Sequence, residues 1–234
     1  LVGWLVLAGP PMTGEAEAFA EASAVKEGES EHARSCAVRL EGLLREDGEG
    51  HPRGPEVLAR AARCREIAGE FEEAARMREA LVERYPQAPV ARAELGALAH
   101  RYRVTAQFER AAAAMERFAQ RYPDDERAAE FVLDAAQLRA GLGQESAALS
   151  LLARGEAHAQ GSDPRRAAAL FWARVELAPG TYADDQARRA HAEEYLQRYG
   201  AAGGSGARSS PRRRLRMSTG GARASRGTRR SICA

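Results

Sequence analysis

Two stretches, Ala68-Gly69-Glu70-Phe71-Glu72-Glu73-Ala74-Ala75 and Thr105-Ala106-Gln107-Phe108-Glu109-Arg110-Ala111-Ala112, share one pattern and lie 37 residues apart. The offset extends to other columns. A small residue recurs at Gly69, Ala106, Gly143 and Gly180. An aromatic stands at Phe71, Phe108 and Tyr182, with Glu145 in the third copy. Alanine stands at Ala74, Ala111 and Ala148, with Asp185 in the fourth, and a further column runs Ala62, Ala99, Ala136, Ala173. Tyr85-Pro86 and Tyr122-Pro123 keep the same spacing. One shared column means little in an alanine-rich chain, but five in one register mark an internal repeat, and periods of this size belong to stacked arrays.

Each unit reads as two helices. Glu56 to Ala68 has helical patterning, and so does Phe71 to Tyr85, where Phe71, Ala74, Met77 and Leu81 recur on one face. The Gly69-type position punctuates the pair, since glycine turns the chain without a Cβ clash. The proline after Tyr85 and Tyr122 ends the second helix by driving the residue before it out of the α region. Asp124 or Asp125 then offers a cap for the next helix. Pairs are expected at about 55–85, 89–122, 125–158 and 163–199, with a weaker one at 14–27 and 31–46. Close helix crossings need small residues, so the alanine columns are the expected contacts, and Leu58, Leu95, Leu98, Phe131 and Trp172 fill the wider gaps. One pair cannot bury its apolar face alone, whereas stacked pairs share a continuous core.

Composition agrees. Of 234 residues, 44% are hydrophobic but only 6% aromatic, an alanine-rich, arginine- and glutamate-rich balance that favours helix over sheet. The net charge of +2 hides an asymmetry: residues 201–234 hold nine Arg and no acid, leaving −7 on residues 1–200. Cys36, Cys64 and Cys233 lie far apart in sequence, with no C-x-x-C spacing, so neither zinc ligation nor a disulfide framework is indicated. Leu1 to Ala8 is an apolar segment too short to span a bilayer; it reads as a fragment edge or as the end of a signal sequence.

The run Leu95-x-x-Leu98-Ala99-x-x-Tyr102-x-x-x-Ala106-x-Phe108-x-x-Ala111, closing in Tyr122-Pro123-Asp124-Asp125, resembles the tetratricopeptide repeat (TPR). The likeness covers roughly residues 55–199, with the first and third pairs matching less fully and the fourth lacking the second-helix alanine. The resemblance implies an all-α fold, a right-handed α-solenoid of stacked TPR-like repeats, here with a period of about 37 where the family usually has about 34. The Gly-, Ser- and Arg-rich composition of 200–234 reads separately as a disordered basic C-terminal tail. The Tyr-Pro linker is similar to repeats of bacterial envelope proteins, of the outer-membrane assembly and gliding-motility kinds. The implied function is a non-catalytic scaffold that binds a protein or peptide partner.

No constellation for catalysis stands beside this. His32, His51, His100, His158 and His191 are scattered outside any metal-ligand spacing, and no phosphate-binding or nucleophile-elbow motif occurs. Glu72-Glu73 and Asp184-Asp185 read as solvated or first-turn charges favoured by the helix dipole. No cofactor and no metal are implied. In the family the first helix of each pair lines the groove. Carried over in this register, that gives a column of Arg63, His100, Gln137 and Arg174, flanked by Ala59, Gly96, Leu133 and Leu170, with Arg103 alongside. The column suits an acidic peptide, with Arg63 and Arg174 pairing its carboxylates. The ordinary alternative is a solvated polar face. The arginine-rich tail offers nucleic acid as an alternative partner through phosphate neutralisation, although no aromatics are interleaved for base stacking.

Overall fold

The computed structural model describes residues 14–47, 51–178 and 184–200. Gly180 and Tyr182 of the repeat columns, the apolar segment 1–13 and the tail 201–234 lie outside the described residues. The described residues form ten α-helices and no strand: α1 (Gly14–Ala24), α2 (Ser30–Asp47), α3 (Gly54–Ile67), α4 (Phe71–Arg84), α5 (Ala91–Val104), α6 (Phe108–Arg121), α7 (Ala128–Gly141), α8 (Glu145–Gln160), α9 (Pro164–Leu177) and α10 (Asp185–Tyr199). The chain divides into two compact units, the first ending at Thr181 and the second beginning at Tyr182.

Within the first unit each helix from α1 to α8 packs on its successor, and α1 also meets α3, as α7 meets α9. This is the arrangement of stacked pairs, α1–α2, α3–α4, α5–α6 and α7–α8, with α9 on the last. The starts of α3, α5 and α7 fall 37 residues apart, as do those of α4, α6 and α8.

The turn inside each pair explains why the period is so regular. Gly69, Ala106 and Gly143 all take a left-handed conformation, with φ of 81°, 58° and 76°. The next amide in each case bonds back to a carbonyl five residues earlier: Glu70 to Arg65, Gln107 to Tyr102 and Gln144 to Arg139, each at 2.8 Å. That is the Schellman closure, which satisfies helix-end carbonyls and needs a residue tolerant of positive φ. Two of the three turns use glycine. Ala106 adopts the same geometry with a Cβ, at an intrinsic cost of about 1–2 kcal/mol. Gly28, at φ 93°, also turns left-handed between α1 and α2, but there the next amide, of Glu29, bonds Lys26 only three residues back, at 3.2 Å.

The alanine columns lie where helices cross. Ala62, Ala99 and Ala136 are sealed from solvent, and so are Ala74, Ala111 and Ala148. Larger side chains fill between them. Phe118, fully buried, has its ring 4.6 Å from Phe131 and 5.2 Å from Tyr122, both edge-on. Position 78 is the odd one: where the next copies carry Met115 and Leu152, both buried, Arg78 is also buried and its guanidinium bonds Glu66 at 2.7 Å and Glu94 at 2.9 Å. A charge so placed needs both carboxylates.

The fourth copy departs from the register, and the column of four alanines breaks there. Ala173 is only half-buried, and the inward face of α9 is Ala167, Leu170, Phe171 and Val175. The cause is local. The Tyr-Pro linker of the earlier copies is replaced by a three-residue turn, Gly161 to Asp163, after a second helix that runs two residues longer. Helix α9 therefore begins 36 residues after α7. The Asp163 side chain caps it by accepting from the amides of Arg165 and Arg166. In the second unit α10 starts at Asp185, its cap Asp184 accepting from the Ala187 amide at 2.7 Å.

Candidate functional site

The first helices α3, α5 and α7 each bury one edge of the repeat and present the next residue outward. Arg63, His100 and Gln137 follow directly on the buried Ala62, Ala99 and Ala136, and all three are exposed. Arg63 and His100 have no hydrogen-bond or ion-pair partner among the described residues. The other two expected site residues sit differently. Arg103 is exposed but bonds Asp134 of α7 at 3.0 Å. Arg174 is half-buried, with Nε 3.0 Å from Glu156 and its guanidinium 5.4 Å from the centre of the Phe171 ring. The register change in α9 accounts for this: Arg174 serves to neutralise the buried carboxylate of Glu156.

Two of the flanking positions turn inward, while Ala59 and Leu133 are half-buried. Gly96 is buried, and a Cβ there would come within 3.2 Å of the Arg127 guanidinium and 3.9 Å of the Phe131 ring. Leu170 is likewise buried. The face is thus a row of polar side chains flanked by buried or half-buried small and apolar residues. Phe71 and Phe108, at the starts of α4 and α6, remain 44% exposed, and the Arg101 guanidinium lies 4.7 Å above the Phe71 ring.

The second helices carry a feature that the groove reasoning did not anticipate. Between α4 and α6 the seam is bridged. Arg110 reaches Glu79 at 3.2 Å and Glu72 at 3.5 Å, Arg117 reaches Glu83 at 3.8 Å, and Gln107 bonds Glu72 at 2.9 Å. Tyr102 donates to Glu79 and accepts from Arg110 beneath them. Burial, reinforced by Glu79, holds the Tyr102 phenol well above the ordinary tyrosine pKa. Between α6 and α8 the equivalent residues cannot repeat this. Ala147 replaces Arg110, and Gln120 replaces Glu83 opposite Arg154. Glu116 turns to Arg139 of α7 at 2.6 Å, and Arg154 bonds Ser150 of its own helix at 2.9 Å.

A cleft of about 310 Å³ opens in that unbridged seam. Val132, Leu151 and Leu170 form its apolar wall, and Arg154, His158 and Glu116 stand among the polar groups around it. His158 Nε2 is 3.4 Å from Asp124. Aligning the two seams in the 37-residue register would have revealed the missing arginine.

No group of three or more His, Cys, Asp or Glu among the described residues could hold a metal ion. No described helix is long and apolar enough to cross a membrane.

No protein-family model matches the sequence, and no curated protein matches it either. Among solved structures, a Podosopora anserina chain described as a kinesin light chain with nearly identical TPR-like repeats is 16% identical. That match covers 80% of this chain and 92% of the other, with a TM-score of 0.41. BtubC (BKLC) from P. vanneervenii is 13% identical, covers 83% of this chain and 94% of its own, and has a TM-score of 0.42. At such identity and overlap these likenesses bear on no partner. The assignment as TPR-like stacked pairs rests on this chain's own period, turns and packing.

Proposed function

We propose that the protein is a non-catalytic scaffold whose first-helix face binds a protein or peptide partner rich in acidic residues. One observation carries the reading: successive copies present Arg63, His100 and Gln137 side by side, exposed, while their immediate neighbours Ala62, Ala99 and Ala136 are buried. Repetition of a polar side chain at the pitch of the stack suits an extended ligand, which meets one copy after another. Arg63 supplies a cation without an internal partner, and charge-assisted bonds to a carboxylate are the strong kind. Arg103 and Arg174, already engaged with Asp134 and Glu156, contribute by holding the helices and not by meeting the ligand. A setting in the bacterial cell envelope is part of the proposal, supported by the Tyr85-Pro86 and Tyr122-Pro123 linkers.

The test is affinity capture from lysate of the source organism, run with and without nuclease. The baits are the full chain, the chain ending at residue 200, and the full chain carrying Arg63→Glu with His100→Glu. Capture by the first two and loss with the double substitution is the expected result. Capture by the full chain alone, abolished by nuclease or by salt, would instead assign the function to the nine arginines of 201–234 as a nucleic-acid contact.

A further inference from the structure

Cys36 on α2 and Cys64 on α3, 28 residues apart in sequence, bring their sulfur atoms to 2.9 Å. Both side chains are buried, at 0% and 1% exposure, and both are free thiols. A bonded pair sits at about 2.05 Å, so closure asks for a movement of roughly 0.9 Å, within reach of small side-chain rotations. The two helices belong to successive pairs and pack directly on each other. We propose that Cys36 and Cys64 form a disulfide site, one that locks the first helix pair onto the second when a disulfide-bearing oxidant is present.

The chemistry is thiol–disulfide exchange with a small-molecule disulfide. Cys64 is the attacking sulfur. The Cys36 thiol donates to it and lowers its pKa, with Arg63 adding to the effect, while the same interaction and burial push Cys36 up. The Cys64 thiol gives up its proton, and its sulfur bonds one sulfur of the external disulfide. The other sulfur leaves as a thiolate and is protonated. The Cys36 thiol then loses its proton and bonds the Cys64 sulfur, and the second external thiolate leaves and is protonated. Two protein thiols become one disulfide, and one external disulfide becomes two thiols.

Access is set by α1. Ala18, Phe19 and Ala22 of α1 share a core with Cys36 and Cys64. Only Phe19 and Val25 are large apolar side chains in that cover, and Arg53 and Arg60 hold the Phe19 ring from outside, at 3.8 Å and 4.4 Å. Helix α1 packs on α2 and α3, and a helix held by so few large side chains opens locally more readily than the densely packed ones. Opening of α1 exposes the sulfurs. The crosslink in turn holds α2 against α3, so oxidation stabilises the α1–α3 region that reduction leaves free to open.

The experiment uses the full chain, purified under reductant and exposed to oxidised and reduced glutathione in graded ratio. It is then denatured, alkylated and mapped by mass spectrometry, which separates Cys233 from the other two. The expected product has lost two hydrogens, links the peptides of Cys36 and Cys64, and melts about 5–10 °C higher than the reduced chain. Cys64→Ser is expected to abolish that shift, and Phe19→Ala to speed oxidation severalfold. Full alkylation of both residues after oxidant, or a glutathione adduct persisting on Cys64 with Cys36 still alkylatable, would overturn the proposal. A thermal shift retained in Cys64→Ser would overturn the locking role, and an oxidation rate indifferent to Phe19→Ala would overturn the role of α1.

Discussion

The seam between α4 and α6 and the seam between α6 and α8 start from the same repeat and end differently. The first carries Arg110 and Arg117 across to glutamates of α4. In the second, Ala147 and Gln120 occupy the corresponding places and a cleft of about 310 Å³ opens. Both floors are built on buried alanines with larger buried side chains between them, Leu95 and Leu98 in one and Phe118 and Leu152 in the other. In this fold the buried columns fix the stack, while rim residues decide whether adjoining copies close over it. The rim is free to vary, because exposed ion pairs contribute only about 0–1 kcal/mol each.

The largest expected effect lies in the shared floor. Phe118→Ala removes the ring packed against Phe131 and Tyr122 and leaves a cavity between α6 and α7. Urea denaturation should show a loss of about 3–5 kcal/mol. A cost below 1 kcal/mol would mean that the floor does not hold the two seams together. Next come the turns that precede α6 and α8. Ala106→Gly should stabilise and Gly143→Ala should destabilise, each by about 1 kcal/mol, because both positions hold a positive φ. Equal signs for the two would refute the shared Schellman geometry.

The rim effects are smaller. Arg110→Ala should cost at most about 1 kcal/mol, and the cost should shrink in high salt. Ala147→Arg with Gln120→Glu should build the missing pairs and raise the salt sensitivity of the open seam above that of the natural chain. Denaturation midpoints at low and high salt check both. Smallest is a pH effect confined to the bridged seam. The folded-state pKa of Tyr102 is raised, so its contribution is intact below about pH 10, where the unfolded phenol titrates. Above that the unfolded state ionises first, and stability falls as pH rises towards the folded-state value. Tyr102→Phe should flatten that alkaline loss, read as denaturation midpoints between pH 9 and pH 11.

Much of the fold was legible because the repeat writes the same physics several times. Gly69 and Gly143 announced their turns, and the alanine columns announced the crossings, since only small residues fit there. Two things were hidden. The change of register in α9 came from a longer α8 and a shorter linker, and neither alters the residue columns enough to betray itself, so Ala173 and Arg174 read as regular copies of Ala136 and Gln137. The approach of Cys36 to Cys64 was hidden for a different reason. It depends on which faces of α2 and α3 meet, and a separation of 28 residues carries no signal of that. For the candidate site, the family's groove positions carried over in the 37-residue register gave Arg63, His100 and Gln137, which are exposed, but could not say that Arg103 and Arg174 already had carboxylate partners within the chain.

The most direct measurement is a binding titration of the captured partner, once purified, against three forms of the full chain. These are the natural sequence, Arg63→Glu with His100→Glu, and Ala147→Arg with Gln120→Glu. The account predicts that the first pair of substitutions weakens binding at least about tenfold, or about 1.4 kcal/mol, and that the second leaves it unchanged. Unaltered affinity in the Arg63 and His100 variant would contradict it, and a loss confined to the Ala147 and Gln120 variant would place the partner in the cleft between α6 and α8.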